Sequence, residues 1–169
     1  MAGLDELIGG LPLDRIAQQL GVDETTARSA VEAVVPALAG GMEANAQDAA
    51  GAESLQNALQ KHEGFSFDDG VDIDGIDTDD GQKIVQHVFG DNRDQVTQQL
   101  GGLGGLDSGM VAKLLPLLAP VVMGYIAKQM RGGSGGSSGG GLGDVLGGLV
   151  GGGSGGGLLD MLGGLFGRK

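Results

Sequence analysis

Cysteine is absent from the 169-residue chain. That excludes disulfides, thiol chemistry and cysteine-based metal sites, and it leaves the redox compartment open. Basic residues are few: 10 Lys and Arg stand against 22 Asp and Glu, for a formal net charge of −12. The imbalance lies in the first 131 residues, where 8 basic side chains face 20 acidic ones, because Asp144 and Asp160 are balanced by Arg168 and Lys169. Nucleic-acid binding depends on Lys and Arg neutralising phosphates, so such a domain starts at a disadvantage there. Anionic membrane surfaces are disfavoured for the same reason. Long apolar runs are also missing. The most apolar stretch, residues 114–127, is 14 residues long and contains Pro116 and Pro120, a length that suits a core helix better than a membrane span of about 20 residues. The chain opens Met-Ala-Gly-Leu-Asp-Glu, acidic where a secretory signal carries its basic region. A cytoplasmic protein is the simplest expectation.

Glycine is abundant but unevenly placed. From Gly132 to Lys169, 19 of 38 residues are glycine, which marks a boundary after Arg131. Glycine loses the most backbone freedom on ordering, so a flexible low-complexity tail over 132–169 is expected to follow a folded domain over 1–131. A domain of that size buries a substantial core.

Two stretches of the folded part read as the same sequence shifted by eighty positions without a gap. Asp14, Gln18, Gln19, Leu20, Gly21, Val31, Pro36, Leu38 and Ala39 recur as Asp94, Gln98, Gln99, Leu100, Gly101, Val111, Pro116, Leu118 and Ala119. The spacing predicts an all-α domain holding an internal duplication, about 14–42 and 94–122, of a short helix followed by a proline-kinked helix. In the first copy a helix over 13–20 closes at Gly21, and Asp23 is placed to cap the next helix. That helix carries Ala27, Ala30, Val31, Val34, Val35, Leu38 and Met42 at helical spacing and runs past Pro36. In the second copy, Asp107 or Ser108 caps a helix bearing Val111, Leu114, Leu115, Leu118, Val121, Val122, Tyr125 and Ile126. Burial of these eight side chains gives roughly 12–24 kcal/mol gross, enough to carry a proline kink costing about 3 kcal/mol. Between the copies, residues 43–60 read as helical, 65–81 as an acidic loop with alternating apolar residues, and 82–89 as a helix ending at Gly90.

The order of these pieces resembles the bacterial domain-of-unknown-function family 937 (YidB-like). The residues that carry the resemblance are Asp80-Gly81-Gln82-Lys83-Ile84-Val85-Gln86-His87-Val88-Phe89-Gly90, then Leu114-Leu115-Pro116-Leu117-Leu118-Ala119-Pro120 with Val122-Met123-Gly124. The resemblance implies a helical bacterial domain and brings no activity with it.

Chemistry-bearing patterns are weak. The aspartates of the loop fail the calcium-loop spacing in either register: from Asp72, Ile76 and Asp77 occupy positions 5 and 6, and from Asp77, Gly81 and Gln82 do. A solvated acidic turn leading into a helix N-terminus is the expectation. His87 is expected to cap carbonyls near Gly90, and His62 to be exposed. Gly132-Gly133-Ser134-Gly135-Gly136 matches a nucleophile elbow only by composition, since an elbow needs a buried strand before it. A helix-turn-helix-like stretch runs from Ile16 to Arg28, but its second helix opens Asp23-Glu24 and holds Arg28 as its one cation. A DNA-associated regulator is therefore the alternative rather than the leading reading.

The tail has more pattern than a linker requires. Gly141-Leu-Gly-Asp-Val-Leu-Gly-Gly-Leu149 recurs as Gly157-Leu-Leu-Asp-Met-Leu-Gly-Gly-Leu165, and a third version opens the protein as Gly3-Leu-Asp-Glu-Leu-Ile-Gly-Gly-Leu11. Leu142, Val145, Leu146 and Leu149, then Leu158, Met161, Leu162 and Leu165, fall on one face of a short helix, as do Leu4, Leu7, Ile8 and Leu11. Alone, nine such residues do not stay helical in water. These eight tail residues are the candidate protein-docking positions, with the groove of the N-terminal copy, in the same or another protomer, as their target. The expected function is non-catalytic binding of a protein partner or of itself. No cofactor, metal or small-molecule substrate is implied.

Overall fold

In a computed structural model, residues 4–62, 67, 70–103 and 105–132 are described, with side chains through Met130. The helices among the described residues are, in chain order, α1 (Leu4–Gly9), α2 (Leu13–Leu20), α3 (Glu24–Ala46), α4 (Ala49–Lys61), α5 (Thr78–Phe89), α6 (Arg93–Gly101) and α7 (Ser108–Gly132), with a 3-10 turn, Gly90–Asn92, joining α5 to α6. There is no strand among the described residues, and the domain is all-α.

The helix starts follow local chemistry. Asp23 ends the extended entry to α3, and its carboxylate accepts the Thr26 backbone N–H at 3.1 Å and the Thr26 hydroxyl at 2.6 Å. Asp48 does the same for α4 through Gly51 N–H at 3.2 Å, and Asp77 for α5 through the N–H groups of Asp79 and Asp80 at 3.0 and 3.2 Å. Each supplies an acceptor to donors that have no partner inside the helix. Gly21 leaves α2 with φ +71°, a conformation that only glycine adopts without strain.

Helix α7 is the centre of the molecule, packed against α3, α4, α5 and α6. By length and composition, Ser108–Met130 could cross a membrane, with mean hydropathy 1.8, yet 83% of its most apolar window is buried inside the fold. It is the core helix of a bundle. Apolar pairs related by the eighty-residue offset match in burial, since Val31 and Val111, Val34 and Leu114, Val35 and Leu115, Leu38 and Leu118, Ala39 and Ala119 are all completely buried, whereas Pro36 is exposed and Pro116 buried. The shorter helices differ, since α2 buries Leu13, Ile16 and Ala17 whereas α6 buries no residue fully.

Two expectations about the middle of the chain need correction. The helical run over 43–60 is two helices, because α3 continues to Ala46 and the chain restarts at α4 behind the Asp48 cap. Helix α5 starts at Thr78, one turn before Gln82. Gly81 hid that turn, being a poor helix former beside an acidic run. The structure explains the glycine: a β-carbon there would overlap the backbone carbonyl of Pro116. Pro120 has no N–H to offer the Pro116 carbonyl four residues earlier, so this oxygen faces the α5 backbone where the two helices cross. Such close approach allows a Cα–H···O contact that a side chain would prevent.

Candidate functional site

Two surfaces merit description, the seat of α1 and a cleft between α4 and α5. The segment around α1 is amphipathic, and the fold uses it so. Leu7, Ile8 and Leu11 are 3%, 8% and 6% exposed, Leu4 packs against the same core, and Asp5, Glu6, Gly9 and Gly10 face outward. The short helix lies on α3. Its Glu6 carboxylate also reaches the neighbourhood of Tyr125 on α7. Burial raises the Tyr125 phenol above its ordinary value of 10.0; the hydrogen bond from Gln129 Nε2, at 2.9 Å, opposes the rise and Glu6 adds to it. Phe67 stacks edge-on against Tyr125 with ring centroids 5.9 Å apart, and the Lys128 ammonium lies 5.6 Å from the centre of the Phe67 ring. The eight candidate docking residues, Leu142, Val145, Leu146, Leu149, Leu158, Met161, Leu162 and Leu165, lie outside the described residues, as does Ser134.

The cleft is formed where one face of α4 (Ser54, Asn57, Lys61 and His62 at its end) opposes one face of α5 (Asp80, Lys83 and His87). Its volume is about 310 Å³. The floor is apolar: Leu55 and Met123 are 1% and 2% exposed, and Ile84 is 5% exposed. His62 is not the exposed residue that its Lys-His-Glu setting suggests. Its side chain is 15% exposed, and its Nε2 lies 2.9 Å from Asp80 Oδ2, closing one end of the cleft. The pairing joins positions 18 apart across a loop, so no local spacing signals it. His87 sits in the last turn of α5 as expected and is exposed. The helix-end carbonyl there is satisfied from another element, because Asn45 Nδ2 of α3 donates to the His87 backbone oxygen at 2.8 Å. Asn45 had no signal in the sequence.

The acidic loop is folded onto the body rather than free. Val71 and Ile73 are buried while Asp72 and Asp74 face outward, so the alternation of apolar and acidic residues is an in–out alternation. Asp74 accepts from Arg15 Nη1 at 2.7 Å and from Gln19 Nε2 at 3.0 Å, tying the loop to α2. Asp77 is committed to the α5 cap. Among the described residues, no group of three or more His, Asp or Glu is arranged to hold a metal ion. In the helix-turn-helix-like stretch, α2, the turn at Gly21 and α3 do follow one another, and the outward residues of Gln18 to Arg28 include Gln18, Gln19, Asp23, Glu24, Thr25 and Arg28.

An acidic helical bundle with an amphipathic segment seated on its core and a small polar-rimmed cleft defines the class. The family model described as "Bacterial protein of unknown function (DUF937)" matches residues 3–129. The chain belongs to this family, and the match takes in α1 and nearly all of α7. Comparison with curated proteins and with solved structures finds no match.

Proposed function

We propose that the protein is a non-catalytic binding and self-assembly module of the bacterial cytoplasm, whose tail segments compete for the seat held by α1. The domain is read as two copies of a short helix plus a proline-kinked long helix. The observation that carries the proposal is the burial of Leu7, Ile8 and Leu11. The same stripe is written twice more in the tail, at Leu142 to Leu149 and at Leu158 to Leu165. Three large side chains buried contribute about 5–9 kcal/mol, against about 6–12 kcal/mol to order the backbone of a six-residue helix. Docking is near balance, so a tethered stripe of the same pattern exchanges with α1 within one chain or between two, gaining from high effective concentration.

A non-catalytic reading is supported by the cleft's own geometry. Ser54 on α4 and His62 just past its end are eight positions apart, about 12 Å along the helix axis, so that pair lies beyond the hydrogen-bond reach that activates a serine. The DNA-associated alternative has less support, because Asp23 and Glu24 stand exposed beside the lone Arg28.

The test is a comparison of the full chain with one ending at Gly132, each with and without Leu7→Ala plus Ile8→Ala. Each buried truncation costs about 2–5 kcal/mol where nothing refills the site. The loss should be clearly smaller in the full chain than in the shortened one, and the full chain should show the larger, concentration-dependent mass by light scattering. Equal losses together with equal masses would sink the proposal.

A further inference from the structure

The cleft between α4 and α5 reverses the sign of the molecule. Both histidines of the chain line it, with Lys61 and Lys83, while among the described residues Asp80 is its one acidic side chain and is already engaged by His62 at 2.9 Å. In a chain with net charge −12, two lysines line the same cleft as the buried Leu55, Ile84 and Met123. A cationic rim over an apolar floor is what an organic anion with an apolar body requires, since each end of the ligand then finds its own kind of surface. The polar groups are donors suited to an anionic head: two ammonium groups, the His87 ring and the Asn57 amide. At about 310 Å³ the cleft lies at the small end of ligand sites, and its lysines are exposed and free to move onto a ligand.

We infer that this cleft is a binding site for a small monocarboxylate with an apolar body, its carboxylate held between Lys61 and Lys83 and its chain laid on Leu55, Ile84 and Met123. Charge-assisted contacts from lysine orient the head, and burial of the chain adds to the affinity. Among the described residues the rim holds two ammonium groups and the engaged carboxylate of Asp80, a balance that fits a monoanion. This site is separate from the α1 seat and does not depend on exchange there.

The experiment is titration of the full chain with octanoate, acetate, octylammonium and inorganic phosphate, followed by calorimetry and by the NMR signals of His87 and the Met123 methyl group. Octanoate should bind and move both signals, whereas acetate, lacking the chain, and octylammonium, carrying the wrong charge, should not. Lys83→Gln combined with Lys61→Gln should weaken octanoate binding by about tenfold or more, the size expected for lost charge-assisted contacts. Lys113→Gln, at an exposed lysine on α7, should leave it unchanged. Circular dichroism checks that each variant remains helical. The inference is overturned by any of three results: no binding of octanoate at millimolar concentration; acetate or phosphate binding as tightly as octanoate; or equal weakening by Lys113→Gln.

Discussion

Gly40 and Gly41 are neighbours in α3 with opposite surroundings. A β-carbon at Gly40 meets nothing within 4 Å, whereas one at Gly41 would lie 2.6 Å from Val88 Cγ1 and 2.7 Å from Phe89 Cε1 on α5. At Gly81 the obstacle is the Pro116 backbone, which cannot turn aside. The three substitutions to alanine should therefore separate in urea denaturation. Gly40→Ala should stabilise by about 0.5–1 kcal/mol through lost backbone freedom in the unfolded chain. Gly41→Ala should cost about 1 kcal/mol, since half-buried side chains can yield, and Gly81→Ala about 3 kcal/mol or more. A neutral Gly81→Ala would show that α5 and α7 do not touch at that crossing. The sequence distinguishes none of these glycines, because what differs is the element on the other side.

Elements were legible where their signals lie within one turn of chain. The Asp23 cap and the Gly21 stop could be read from residues 20 to 27, and the structure has both. Thr26 explains the strength of the cap: its hydroxyl, then its backbone N–H, hold the Asp23 carboxyl below its ordinary value of 3.8, with slight desolvation opposing. A carboxyl with a lowered folded value contributes stability that is complete above pH 3.8 and lost as pH falls through the lowered value. Asp23→Asn should thus melt at a lower temperature than the parent near neutral pH. The gap should close as pH falls below about 4, and thermal melts at a series of pH values check this. A gap that persists undiminished in acid would assign the effect to shape rather than charge. The start of α5 was illegible for a complementary reason, since Thr78 to Gly81 read locally as turn and become helix because Gly81 fits against α7. The break before α4 was hidden by an Ala- and Gln-rich run that favours helix throughout.

At the scale of the whole molecule, charge and core act against each other. One completely apolar core is assembled around α7, with no buried charged side chain among the described residues, and it is wrapped in a surface carrying a large excess of carboxylates. Self-repulsion of that kind opposes compactness, and salt relieves it by shortening the screening length from about 30 Å at 0.01 M to about 8 Å at 0.15 M. The melting temperature should rise over that range. A fall would mean that attractive pairs such as Arg15–Asp74, at 2.7 Å but mostly solvated, outweigh the repulsion, which surface pairs of this strength rarely do. The same relief should favour association of tail-bearing chains.

The sequence by itself determined the Asp23 cap, the Gly21 stop and the buried faces of α3 and α7, because those depend on spacing within a few residues and on the removal of apolar side chains from water. Val34, Leu38, Leu114 and Leu118 could have been placed in the core from periodicity alone, and they are there. Only the tertiary structure decided that Gly81 is a crossing point, that Asn45 satisfies a carbonyl 42 positions away, and that His62, Asp80, Lys83 and His87 share one cleft. Those facts depend on how α4 and α5 are set against α7, and that is settled by packing between distant segments, which leaves no period or motif along the chain.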